Sequence, residues 1–324
     1  MKSLKKIGEF GLIDQIAKRI KNSKRVQIGI GDDAALVHNL SEKSLLTTDL
    51  LIEGVDFDFK TAAPNQVGHK ALAVNLSDIA AMGGVPKFAL IGLGVPKNEK
   101  LSRIDKFLDG ILKIARRFDV DIVGGDLSKA PCWMISVTLI GTPGPRTVSR
   151  SGARAGDLIY VTGSLGGSIA GKHLDFTPRV KEGQWLAGFG ATSMIDLSDG
   201  LLQDLGHILT KSRLGARINL DSIPASGILN RALTDGEDFE LLFTIPQSKQ
   251  RALEFGWKKK FKTKLSCIGE IVPNDVILRL QPKDLKSQIL RRRFATSQND
   301  RIIFLKDGKP TRLQFKKKGY QHFG

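Results

Sequence analysis

The stretch Asn65–Gly84, "NQVGHKALAVNLSDIAAMGG", and the run Lys87–Pro96, "KFALIGLGVP", together decide the fold class. The first carries apolar residues at helical spacing and is closed by Gly83, Gly84 and Pro86, which stop a helix. The second is a continuous apolar run of strand length. Working outward, 100–118 forms an amphipathic pattern through Leu101, Ile104, Leu108, Ile111, Ala115 and Phe118. "DVDIVGGD" (119–126) and "WMISVTLIGTP" (133–143) read as strands, as does Ser44–Thr48, and Glu9–Lys21 reads as a first helix. Beyond a glycine- and proline-rich stretch at 141–157, the same grammar resumes. Asp157–Thr162 is a strand, "SMIDLSDGLLQDLGHIL" (193–209) is strand, turn and helix, Ala216–Leu220 is a strand, and "DGEDFELLFTIP" (235–246) is loop then strand. Helices and strands alternate in both halves, which places the chain in the α/β (α+β) class rather than among bundles or sandwiches.

The chain has 324 residues, of which 41% are hydrophobic and 26% charged, enough for two domains with their own cores. The Gly/Pro-rich stretch sets the expected boundary, with domains 1–145 and 146–324. The formal charge of +17 suggests a polyanionic partner until it is partitioned. Residues 249–324 hold 20 basic and 6 acidic side chains, while 1–248 hold 30 and 27, so the basicity belongs to the tail. That tail shows no nucleic-acid reading motif and few aromatics among its charges, so no specific nucleic acid is expected. Two cysteines fit a reducing compartment. Glu9 and Asp14 break any signal-peptide core, and no apolar run is long enough to span a membrane, so a cytoplasmic location is expected.

The chemistry lies in a set of aspartates at strand ends and tight turns. Asp32 and Asp33 stand in "GIGDDAAL", Asp49 in "TTDLL", Asp78 in "VNLSDIAAMGG", Asp126 at the end of "IVGGD", and Asp196 and Asp199 in "IDLSDG". Any one could be a helix cap or turn residue. As a convergent set they would need compensating positive charge, and oxygen-only ligands suit a hard cation such as Mg²⁺. The segment Gly166–His173, "GGSIAGKH", almost spells a phosphate-binding loop. His173 stands where Ser or Thr belongs, however, and Pro178 leaves no room for the usual long helix. A turn with glycines for close packing is the better reading.

The strings "GIGDDAAL", "TTDLLIEGVDF", "KALAVNLSDIAAMGG", "IVGGD", "SRSGARAGDLIYVTGSLGGSIAG", "IDLSDGLLQDLGHI", "GEDFELLFT" and a terminal "KGYQHF" occur in that order over nearly the whole chain. The set resembles the thiamine-monophosphate kinase family, within the wider aminoimidazole-ribonucleotide (AIR) synthetase superfamily. The resemblance implies a two-domain AIR-synthase-like fold whose N-terminal sheet meets its mate's across a homodimer two-fold to form a barrel. It implies transfer of the γ-phosphoryl of ATP to thiamine monophosphate, with several Mg²⁺ ions. Carried over by position, Asp33, Thr47, Thr48, Asp49, Asp78, Asp126, Asp196 and Asp199 would bind metal. Asp33, Asp78, Asp126 and Asp199 would form the catalytic set. Gly125, Asp126, Arg150 and Ser198 would contact ATP, and Glu237 and Tyr320 the thiamine portion. Three features depart from the family. Asp56, by position a third substrate-binding residue, stands where the family usually has a substrate-contacting His, which leaves a superfamily reaction on a different small phosphorylated or amide acceptor as the alternative. The segment after "GSIAG" is short, and 273–301 looks like a basic insertion with a helix near 284–293.

Overall fold

The computed structural model describes residues 26–28, 32–38, 43–274 and 301–311. The helices expected at Glu9–Lys21 and near 284–293, most of the 273–301 insertion, and Tyr320 lie outside them. The described chain divides into two compact units. One takes in residues up to Thr147 together with Ala170–Trp185, and the other Val148–Ile169 together with the chain from Leu186 onward.

The first unit is built on a six-stranded sheet of β1 (Val26–Ile28), β2 (Ala35–His38), β3 (Lys43–Ile52), β4 (Val85–Val95), β5 (Asp121–Lys129) and β6 (Met134–Thr142), in the order β1-β2-β3-β6-β4-β5. All neighbours are antiparallel except β4 and β5, which are parallel. Their connection is helical, as a parallel crossover requires. Two helices supply the cover, α1 (Pro64–Ala81) and α2 (Leu101–Arg117). Pro64 opens α1 at a position where its missing N–H costs nothing, Gln66 Oε1 accepts the Ala63 N–H at 3.0 Å, and Gly83 (φ 70°) ends the helix. Nearly all of α1 is buried, Lys70 included.

The stripe that α2 buries is Phe107, Gly110, Ile111, Ile114 and Ala115, whereas Leu101 and Leu108 stay exposed. It is therefore rotated from the one read in the sequence. The cause is the crossing with α1: a Cβ on Gly110 would overlap the Asn65 carbonyl, and one on Gly68 the Phe107 carbonyl. Backbones touch there, so the glycine face must turn inward. Trp133, at the start of β6, packs edge-on against Phe59 and Phe107. Fully burying a ring of this kind contributes about 2–3 kcal/mol. Among the described residues nothing covers the opposite sheet face: Leu50 and Leu90 are exposed on it, and the edge strand β5 is exposed along almost its whole length.

The second unit holds a seven-stranded sheet of β7 (Asp157–Thr162), β8 (Ser193–Asp196), β9 (Gly215–Asn219), β10 (Leu241–Pro246), β11 (Leu265–Val272), β12 (Ile302–Lys306) and β13 (Lys309–Thr311), ordered β13-β12-β9-β11-β7-β10-β8. Strands β7, β8 and β10 are near-continuous buried runs, the pattern of strands covered on both faces. Short α3 (Lys172–Asp175) and the first part of α4 (Val180–Phe189) belong to the first unit, and the helices that follow in the second are α5 (Leu201–Ser212), α6 (Leu229–Thr234) and α7 (Gln250–Lys260). Leu201, Leu202, Leu205, Ile208 and Leu209 of α5 enter the core of this unit with Ile159, Val161, Ile195 and Leu242. Among the described residues no helix is long and apolar enough to cross a membrane.

Candidate active site

In the first unit, Thr47 sits on the inward face of β3 and Asp78 on α1, and the Thr47 hydroxyl donates to Asp78 Oδ2. The buried Asp33 joins them, with its carboxylate oxygens within 4.8 Å of those of Asp78. Two carboxylates this close repel unless a positive charge lies between them. An all-oxygen set of two carboxylates and a hydroxyl fits a hard divalent cation. Thr48 is not brought to this group. Consecutive strand residues face opposite ways, and its hydroxyl donates to Val137 O at 3.1 Å and accepts from Thr138 Oγ1 at 3.1 Å on the outer face. Asp49 is half-buried on β3, and Asp126 is exposed on β5, opposite Gly92. Gly125 has a local reason to be glycine, since a Cβ there would overlap the Ile91 carbonyl of β4. Asp56 lies in the loop after β3, and its Oδ2 accepts the Ile52 N–H at 2.8 Å.

In the second unit, the end of β8 carries Asp196, Ser198 and Asp199, and the loop before β10 is laced onto it. Glu237 N–H donates to Ser198 O (2.7 Å), Phe239 N–H to Leu197 O (2.8 Å), and Leu197 N–H to Glu240 O (2.8 Å). Predicted substrate and nucleotide contacts Glu237 and Ser198 are thus joined through their backbones. Glu237 (φ 63°) and Phe239 (φ 50°) both adopt left-handed conformations. Each costs about 1–2 kcal/mol and persists because the surrounding bonds over-determine it.

Asp199, Asp204 and His207 bring potential ligand atoms within 4.8 Å of one another. Asp204 Oδ2 accepts the Asp199 N–H at 3.1 Å, and Gln203 Nε2 donates to Asp199 Oδ2 at 3.0 Å. Burial first, then the charges of Asp199 and Asp196, hold the Asp204 carboxyl well above the usual carboxylate range, against the pull of Arg150. Arg150, 54 residues away in sequence, therefore acts on Asp204 in space. Asp204 itself escaped the sequence reading, although an acid inside the apolar stripe of α5 was the available signal. His207 is half-buried beside these acids.

The glycine-rich segment does not form a phosphate loop. After β7 the chain makes only a 3₁₀ turn and the four-residue α3. The Gly166 N–H, which would have to face an anion, donates to both oxygens of buried Asp238 at 2.8 and 3.0 Å. Next to it, the Thr162 hydroxyl donates to Glu240 Oε2 (2.8 Å) and accepts from Leu241 N–H (2.8 Å). Asp238 and Glu240, both almost fully buried, are structural acids that the motif reading passed over.

The chain is similar to known proteins over nearly its whole length. Residues 31–142 match the family "AIR synthase related protein, N-terminal domain". Thiamine-monophosphate kinase of Escherichia coli is 35% identical over 98% of each chain. That of Buchnera aphidicola from Acyrthosiphon pisum is 36% identical over 98% of this chain and 99% of its own. Among solved structures, AaThiL complexed with AMPPCP and TMP superposes with a TM-score of 0.78 at 32% identity, covering 99% of both chains.

Proposed function

The chain belongs to the thiamine-monophosphate kinase family, and we propose that it transfers the γ-phosphoryl group of ATP to the phosphate of thiamine monophosphate. A phosphate oxygen of the acceptor attacks the γ-phosphorus, the bond to the β-phosphate bridging oxygen breaks, and ADP leaves with thiamine diphosphate as the product. The observation that carries this reading is the end-to-end likeness to the E. coli enzyme. The complex of AaThiL with AMPPCP and TMP supports the same pair of ligands.

The residues suit such a reaction. Joining two anions demands charge neutralisation and in-line positioning rather than a covalent nucleophile. Mg²⁺, when bound, supplies that neutralisation. Carried over by position, Asp33, Thr47, Asp78, Asp196 and Asp199 would be its ligands, with Asp49 and Asp126 as further ones. Arg150 offers a planar fork to phosphate oxygens. Ser198 and Gly125 would contact the nucleotide, and Glu237 the thiamine portion, its main chain fixed by Ser198 O. Tyr320 can lay its ring on the cationic thiazolium. We read the exposed outer face of the first sheet, with Leu50, Leu90 and edge strand β5, as the surface that meets a second copy in a homodimer barrel. The two unpaired cysteines support a cytoplasmic setting.

Incubation of the purified chain with ATP, Mg²⁺ and thiamine monophosphate, followed by chromatography, is expected to yield thiamine diphosphate and ADP in equal amounts. ADP without thiamine diphosphate would overturn the assignment.

A further inference from the structure

The loop Glu53–Phe57 contains the departure at position 56, and the structure gives Asp56 a task inside the loop. Val55 N–H and Asp56 N–H both donate to Ile52 O (3.0 and 2.9 Å), and Gly54 N–H donates to Phe57 O (2.8 Å). The Asp56 carboxylate turns back and accepts the Ile52 N–H at 2.8 Å. The Asp56 carbonyl in turn accepts from Lys70 Nζ at 2.8 Å. Lys70 is fully buried, and a buried ammonium must keep its acceptors. It sits on α1 two residues after Gly68, where α1 and α2 touch backbone to backbone. The loop is therefore tied to a helix whose backbone meets that of α2, and the same helix carries Asp78. Glu53 fixes the near end, giving its N–H to Trp133 O (2.9 Å) and accepting Trp133 N–H on Oε2 (3.2 Å). Phe57 fixes the far end through its edge contact with Phe59. The exposed tip is Gly54 and Val55.

We propose that Asp56 and Lys70 are positioning residues: the Asp56 carboxylate closes the loop on its own backbone, the Lys70 ammonium fixes the loop to α1, and Asp56 places no charge on the phosphorylated substrate. The proposal rests on the kinase reading for the identity of that substrate and on nothing else from it.

The test compares Asp56→Asn, which keeps an acceptor for Ile52 N–H, with Asp56→Ala, which does not. Amide exchange at Ile52, read by fragmentation mass spectrometry on the full chain, is expected to stay slow in Asp56→Asn and to speed up about tenfold in Asp56→Ala, the loss of one hydrogen bond. KM for thiamine monophosphate should stay within about threefold of wild type in Asp56→Asn and rise about tenfold in Asp56→Ala, with KM for ATP unchanged in both. Lys70→Met is expected to reproduce the Asp56→Ala pattern. Equal damage from Asp56→Asn and Asp56→Ala would overturn the proposal in favour of a charged substrate contact, as would unchanged Ile52 exchange in Asp56→Ala. If the wild type makes no thiamine diphosphate, the kinase reading fails, and the exchange experiment still decides the loop closure.

Discussion

Thr162→Val removes one hydroxyl at the point where the glycine turn and the 237–240 loop are joined. The hydroxyl gives its proton to Glu240 Oε2 and accepts the Leu241 N–H, both at 2.8 Å, and neither residue is exposed. Losing this acceptor for a buried amide costs about 1–3 kcal/mol, and removing a donor to a carboxyl oxygen costs about 1.5–3 kcal/mol. The added methyl returns about 0.8 kcal/mol, so a net loss of about 3 kcal/mol is expected. For a unit of this size that lowers Tm by about 6–12 °C. Thermal and urea unfolding followed by circular dichroism would measure it, with Thr162→Ser as the control that keeps the hydroxyl and loses about 1 kcal/mol. KM for thiamine monophosphate should rise as well, because Glu240 holds the loop that carries Glu237. A Thr162→Val protein within about 0.5 kcal/mol of wild type would refute the reasoning, as would a Thr162→Ser protein that suffers equally.

Asp78→Asn keeps an acceptor for the Thr47 hydroxyl but loses the charge, so kcat should fall by about 10²-fold or more with an unchanged circular dichroism spectrum; wild-type turnover would break the carboxylate argument. Arg213 closes α5 in a left-handed conformation (φ 58°, ψ 38°), so Arg213→Gly should raise stability by about 1 kcal/mol, visible as a higher urea midpoint. A lower midpoint would contradict it. Burial lowers the pKa of His69 despite its bond to Phe176 O. The unfolded chain therefore takes up a proton before the folded one does. The stability His69 contributes is present above its ordinary value of about 6.5 and is lost as pH falls towards the lower folded value. Between pH 7.5 and 5.5 the wild type should lose more stability than His69→Asn, and parallel curves would refute this.

Local signals carried much of the fold. The helix α1 and the β8–α5 unit could be read because an apolar run, a glycine break and a polar turn lie side by side in the chain. The buried face of α2 could not, because it is set by Gly110 meeting Asn65, a contact that no window of the α2 sequence contains. Helix α7 and strand β11 were hidden by "WKKKFKTK", whose lysines mask the sparse buried anchors Leu253 and Trp257. At the site, Asp33, Thr47 and Asp78 lie together in the structure, while the Thr48 side chain faces the other side of β3 by strand alternation, a rule legible in the sequence. Asp204, Asp238 and Glu240 were missed for a shared reason: a buried acid announces itself only by standing among apolar neighbours, and its partners, backbone amides for Asp204 and Asp238 and the Thr162 hydroxyl for Glu240, lie elsewhere in the chain or in the main chain. Lys70, in "HKALAV", is the same lesson with the opposite sign.

The excursion of Ala170–Trp185 into the first unit has a practical consequence. Asp175 accepts Gln66 Nε2 (2.6 Å), Phe176 O bonds the His69 ring (2.7 Å), Gln184 Nε2 donates to Gly84 O (2.9 Å), and Gly183 lies against the Ala80 carbonyl. Among the described residues the chain thus crosses between units three times. A gene cut between codons 147 and 148 would divide the polypeptide without dividing the units: the N-terminal product would lack the roof of its first helix, and the C-terminal product would carry that roof as an unpaired flap. Splitting this protein into independently expressed halves would require grafting 170–185 onto the first half and bridging the gap it leaves in the second.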